Sequence, residues 1–298
     1  MTPLPQQISS ATATTSRGTR FSVARVHPNG IADRTAVAYA HDLDVSAPRS
    51  HLMMFHGSGG SDDVIDAEVF APYVEGAIDA GWVVTAATLG GNSWGNAFAH
   101  ECIANVDAYV SSVFAIGPRL LLGESQGGGT LFSVLLRKTV PSIAAAVVFA
   151  PAVNFRWVCE KGTSSPAIRA AYGATPADFA DKIRGYGALT GVAADFAGYR
   201  LRVRSSYDDT MTPKAAHLDA FIEAGLASQF AVFDSITVTG DHISAEHYDA
   251  PADLAFLEAA AAAFEAVVER DGGADELHQV LVGGDDGGRA AGLRGQPG

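Results

Sequence analysis

An apolar run, Leu120-Leu121-Leu122, ends in Gly123-Glu124-Ser125-Gln126-Gly127-Gly128-Gly129, and a helix-like segment from Thr130 to Lys138 follows at once. A buried strand, a sharp glycine-flanked turn carrying a serine, and an immediate helix define a nucleophile elbow. Glycines at 123 and 127 remove the Cβ atoms that would clash where strand and helix crowd together. The helix N-terminus offers unpaired backbone N–H groups to an oxyanion. Ser125 is therefore the candidate nucleophile. The same residues also suit a plain glycine-rich turn with an incidental serine, so the rest of the chain must supply what such a serine requires.

The segments around the elbow set the fold class. Phe21 to Val26 alternates like a half-buried strand, Pro28-Asn29-Gly30 signals a turn, and Thr35 to Tyr39 suits a second strand, giving an antiparallel opening. His51 to Phe55 and Trp82 to Ala87 are continuous apolar runs, as in strands buried on both faces. Helix spacing runs over Val64–Ala80, closed by Gly81, and over Ala99–Phe114. Ala144 to Ala150 is a further strand, ended by Pro151. Tyr199 to Ser205 and Phe230 to Val238 are two more, with helices over Pro213–Ala224 and Ala250–Arg270. Alternating strands and helices predict an α/β fold with a mostly parallel central sheet and helices on both faces. Ligands bind such sheets outside the carboxyl ends of the strands. The loops at 56–61, 90–96, 123–127 and 151–157 all follow strands and should gather on one rim.

Three regions depart from that rhythm. Residues 1–18 read as a flexible leader, and 271–298, rich in glycine, as a disordered tail, which leaves 19–270 as the domain. Between 152 and 198 the pattern breaks into short helices near 165–172 and 176–184. A connection that long needs structure of its own. It reads as a small lid or cap over the rim, or else as a peripheral decoration.

Charge and composition narrow the partners. A net charge of −13 disfavours nucleic acid and anionic membrane surfaces. No apolar run is long enough to span a bilayer. The polar stretch from Met1 to Thr19 lacks the apolar core of a secretory signal. A cytoplasmic or otherwise soluble location without a cleaved signal is expected, and a virion-borne enzyme fits too. Two cysteines, Cys102 and Cys159, form no disulfide framework and read as thiols or a single bridge.

A serine hydroxyl needs a base to take its proton, and that base is usually a histidine held by a carboxylate. In parallel-sheet versions the chain order is Ser, Asp or Glu, His, each following a strand. Here Asp208-Asp209 follows the strand at 199–205, and His242 follows the one at 230–238. From about residue 20 to 270 the chain resembles the α/β-hydrolases, through His56-Gly57, Gly123-Glu124-Ser125-Gln126-Gly127, Asp208-Asp209-Thr210-Met211-Thr212-Pro213 and Gly240-Asp241-His242. The family's Asp-x-apolar-apolar-Pro pattern selects Asp209 over Asp208, although Thr212 departs from it. Asp208 stays open, Glu124 is a weaker alternative acid, and His247 is a rival base. The resemblance implies an oxyanion hole from the N–H of Gln126 and that of Ser58 or Gly59, with His56 propping their loop. It further implies a carboxylic ester hydrolase with no cofactor and no metal, acting on a small-molecule or polymer-linked ester. Peptidase, thioesterase and acyltransferase use the same machinery, and a binding module uses the same fold. Trp94 and Asn92 on the 90–96 loop, and Trp157 at the start of the cap, are the candidate substrate contacts.

Overall fold

The computed structural model describes residues 4–30 and 33–270. The strands are β1 (Gln7–Thr14), β2 (Arg20–Val26), β3 (Thr35–Ala40), β4 (Arg49–Phe55), β5 (Val83–Ala87), β6 (Ile116–Glu124), β7 (Ile143–Phe149), β8 (Arg200–Ser206) and β9 (Val232–Val238). The helices are α1 (Ala71–Asp79), α2 (Ala97–Val113), α3 (Ser125–Arg137), α4 (Phe155–Lys161), α5 (Ser165–Ala171), α6 (Phe179–Lys182), α7 (Leu218–Glu223) and α8 (Ala250–Arg270). All nine strands among the described residues join one sheet in the order β1-β2-β3-β5-β4-β6-β7-β8-β9. The first three strands and the β3–β5 pair are antiparallel, and every pair from β5–β4 onward is parallel.

The apolar runs explain this order. In β4 and β6 the residues Leu52 to Met54 and Leu120 to Leu122 are buried on both sides, as strands sandwiched between helix layers must be. One face packs Ile103, Val106 and Val110 of α2 and Leu131 and Val134 of α3. The other packs Val74 and Ala77 of α1 and Leu257 and Ala260 of α8. A third cluster joins Trp94 to Phe155, Val158, Ile168 and Phe179, so the 152–198 segment has a core of its own and seats it on the 90–96 loop.

Two expectations are corrected. The leader is not flexible over Gln7–Thr14, which forms β1 and pairs with β2 at the sheet edge. Neither face of β1 is buried, so its sequence shows no run of large apolar residues, and its serines and threonines suit an exposed edge. The helix expected over 64–80 is α-helical only from Ala71 and is preceded by two 3-10 turns, Asp62–Asp66 and Glu68–Phe70. Pro72 sits in the first turn, where a missing N–H costs no helical bond, and so fixes that start. The tail at 271–298 lies outside the described residues. Among the described residues, no helix is long and apolar enough to cross a membrane.

Candidate active site

The last residue of β6 is Glu124, and Ser125 opens α3 with φ 50°. A non-glycine residue in that left-handed region is strained, and strain of this kind concentrates at functional turns. The glycines that follow are fixed by contact. A Cβ on Gly127 would lie 2.2 Å from the Phe55 carbonyl oxygen and 2.5 Å from that of His56. The helix therefore presses against the end of β4, which also carries the His56-Gly57-Ser58 loop. On Gly123 a Cβ would meet the Gly127 carbonyl oxygen at 3.0 Å.

Two other loops converge on Ser125. Its Oγ lies 2.8 Å from His242 Nε2, and His242 Nδ1 lies 2.8 Å from Asp209 Oδ2. With Nδ1–H donating to the carboxylate, Nε2 is left as the acceptor for the serine hydroxyl. Asp209 is fully buried on its side chain, whereas Asp208 is exposed and directs its own N–H to Ser206 Oγ. Backbone N–H groups of Met211 and Thr212 donate to Asp209 Oδ1 at 2.7 Å each, and the Thr212 hydroxyl lies 2.8 Å from Oδ2. Burial pushes the Asp209 carboxyl up, but the hydrogen bonds from His242 and Thr212 outweigh it and hold the group down at about 2. It is thus an anion at neutral pH. Asp241 Oδ1 accepts from the N–H groups of Thr210 and His242, which locks the acid loop to the histidine loop.

The loop after β4 faces the same spot. His56 is buried, with its ring nitrogens 2.7 Å from the Gly57 oxygen and 2.8 Å from the Thr88 oxygen, so it props the loop. Of the two N–H groups expected to face an oxyanion, that of Gly59 is engaged by Asn92 Oδ1 at 2.8 Å. The Ser58 N–H makes no hydrogen bond among the described residues, and the Gln126 N–H lies in the unpaired first turn of α3. Of these three N–H groups, those of Ser58 and Gln126 carry no acceptor among the described residues.

A cavity of about 560 Å³ opens over Ser125 and His242, bordered by Ser58, Asp63, Trp94, Glu124, Val158 and Met211 among others. Among the described residues, neither lysine nor arginine borders it. Trp94 is 3% exposed, and its indole packs edge-on against Phe155, with ring centres 6.0 Å apart. Asn92 and Trp157, expected as substrate contacts, do not border the cavity. Asn92 holds the Ser58-Gly59 loop instead, and Trp157 packs on His217, with ring centres 5.0 Å apart. The rival base His247 is fully buried, with Nδ1 3.3 Å from Ser244 Oγ. Both cysteines are buried free thiols, and burial pushes Cys102 up to about 12.

Thr212, Asp241 and His217 escaped sequence reasoning. The Asp-x-Met-Thr spacing does carry a signal for Thr212. An aspartate that accepts from the N–H groups two and three residues on is a common turn device, and Thr212 continues it with a hydroxyl. His217 sits beneath this loop, its Nδ1 accepting the Asn154 N–H at 3.1 Å. Burial pulls both His217 and His100 down from an ordinary 6.5 to about 4. Each of these histidines takes up a proton near 6.5 in the unfolded chain but only near 4 in the folded one. Stability is therefore fully present above pH 6.5 and falls as pH drops toward 4, by up to about 1.4 kcal/mol per pH unit for each histidine. Urea midpoints should drop clearly between pH 7.5 and 5.0, with a shallower drop in His100→Gln. Equal midpoints at both pH values would contradict these burials.

No protein-family model matches the chain, and no curated protein matches it significantly in sequence. Solved structures do resemble it. A prolyl endopeptidase matches with TM-score 0.57 and 17% identity over 86% of this chain and 37% of its own. Oligopeptidase B from Leishmania major gives 0.55 and 18% over 86% and 36%. An S-formylglutathione hydrolase from Agrobacterium tumefaciens gives 0.65 and 17% over 87% and 99%. The chain thus spans little more than a third of the peptidases' length. These likenesses define a mostly parallel sheet wound with helices on both faces. That architecture is the α/β-hydrolase fold, and this chain adopts it.

Proposed function

We propose that the protein is a serine hydrolase that cleaves carboxylic esters through a covalent acyl-enzyme. The observation that carries this reading is the unbroken relay from Ser125 Oγ through His242 to the Asp209 carboxylate, 2.8 Å at each step. Ser125 attacks the acyl carbon while His242 Nε2 takes its proton. The Ser58 and Gln126 N–H groups bind the carbonyl oxygen as it gains charge, each worth roughly 3 kcal/mol to the transition state. His242 then returns the proton to the leaving alcohol, and water, activated the same way, releases the acid. Asp209 stays ionised throughout and stabilises the imidazolium.

The cavity wall supports a neutral acyl group, because Asp63 and Glu124 border it and, among the described residues, no lysine or arginine does. Asp63 is partly balanced by Arg34 at 3.0 Å, whereas Glu124 meets only the Tyr248 hydroxyl, at 2.8 Å, among the described residues. We assign the 152–198 segment as a lid, since Val158, Gly162, Thr163 and Ser164 border the cavity. A panel of p-nitrophenyl esters of increasing chain length, run beside peptide p-nitroanilides, tests both readings. Ester turnover well above anilide turnover is expected, with Val158→Trp shifting the preference toward shorter chains. Faster anilide cleavage would make the protein a peptidase, and an unshifted preference would remove the lid.

A further inference from the structure

Ser58 and Gln126, the two residues whose N–H groups are read above as oxyanion donors, lie on a loop and a helix far apart in sequence, and one short loop touches the side chains of both. Asn92 Oδ1 accepts from Ser58 Oγ at 2.9 Å and from the Gly59 N–H at 2.8 Å. One residue earlier, the Gly91 carbonyl accepts from the side-chain Nε2 of Gln126 at 3.1 Å. The loop itself is pinned from below, with Asp33 accepting from the Leu89 and Gly90 N–H groups at 2.9 Å each. From above, Asn96 Nδ2 donates to the Ala171 oxygen at 2.7 Å. Leu89, Gly90, Gly91 and Trp94 all hold left-handed φ values, so its shape is over-determined by these ties.

By contrast, the Gly57-Ser58-Gly59-Gly60 stretch is glycine-rich, and glycines leave a backbone free to wander. Its own ties are a turn bond from the Gly60 N–H to the Gly57 oxygen at 3.1 Å and the His56 ring on that same oxygen. Nothing in those ties fixes the distance from Ser58 to α3. We propose that Asn92 is a positioning residue, and that the Gly91-Asn92 pair sets the spacing between the Ser58 and Gln126 N–H donors. This rests on the serine-hydrolase reading above, and it assigns Asn92 a task at the oxyanion in place of a contact with substrate.

Oxyanion donors act only when they sit 2.7–3.1 Å from the developing charge, and losing one costs about a hundredfold to a thousandfold in kcat. Loosening one without deleting it should cost less. Asn92→Ala is expected to lower kcat roughly tenfold to a hundredfold with KM within about twofold, and to weaken a boronic acid inhibitor by the same factor as kcat/KM. Asn92→Asp keeps the acceptor and should recover part of what Asn92→Ala loses. Ser58→Ala removes one of the two bonds, and its effect should largely vanish when added to Asn92→Ala, because both act through one brace. The Ser58→Ala and Asn92→Asp measurements stand even if Asn92→Ala folds poorly, since both leave the loop after β5 intact. A raised KM with unchanged kcat, an Asn92→Asp as impaired as Asn92→Ala, or effects that simply multiply would overturn the proposal. A wild-type chain that turns over no ester and binds no boronate would remove the hydrolase reading as well. Failure confined to the variants of an active wild type removes this inference alone.

Discussion

Replacing Ser125 by alanine is expected to lower kcat by about a millionfold while leaving the fold intact. Among the described residues the serine's Oγ has one partner, His242 Nε2, and its removal leaves that nitrogen facing the cavity, where water can reach it. Little packing is lost, because the deleted atom borders open space. The strained φ of 50° is kept by the strand and helix on either side, so alanine inherits the turn. What remains should be the slow hydrolysis that an oxyanion hole and bound substrate support, about a thousandfold to ten thousandfold above water. Activity within tenfold of wild type, in a variant with unchanged thermal midpoint, would show that Ser125 is an incidental serine in a glycine-rich turn.

The second large effect concerns the acid. Asp209→Asn should reduce kcat by about ten thousandfold, whereas Asp208→Asn should stay within about twofold. Two backbone N–H groups hold Oδ1, so an asparagine at 209 keeps its amide oxygen there. Its NH2 then takes the place of Oδ2, facing His242 Nδ1. Two donors cannot share one bond, so Nδ1 must become the acceptor and the ring proton moves to Nε2. A protonated Nε2 cannot accept the Ser125 hydroxyl. Asp208 is exposed, and no side-chain acceptor bond joins it to His242 among the described residues. Equal losses in the two variants would mean that the acid loop is needed only for folding, and the reverse order would move the acid by one residue.

Much of this arrangement was legible because burial on two faces leaves an unmistakable mark. The strands carrying Leu52, Val84, Leu121 and Val147 are continuous apolar runs, and the loops after them had to meet on one rim. β1 was illegible for the opposite reason, since an edge strand with both faces in water shows no run of large apolar residues. Loop residues were harder. Asn92 and Trp94 lie two apart on one loop, and residue type suggested the same task for both. In three dimensions one braces a glycine-rich neighbour and the other fills the core of the cap segment. Thr212 looked like a departure from an apolar preference, yet its hydroxyl sits 2.8 Å from the Asp209 carboxylate and 2.9 Å from the Ala150 oxygen. Bonds between loops so distant in sequence leave no periodicity behind.

Whether Ser125 is an activated nucleophile is settled most directly by intact-mass analysis after brief exposure to a fluorophosphonate. A single adduct is expected on the wild-type chain, mapped to the peptide carrying Ser125, much slower in Asp209→Asn and absent in Ser125→Ala. An adduct that persists in Ser125→Ala, or a wild-type chain that takes up no label while folded, would contradict it.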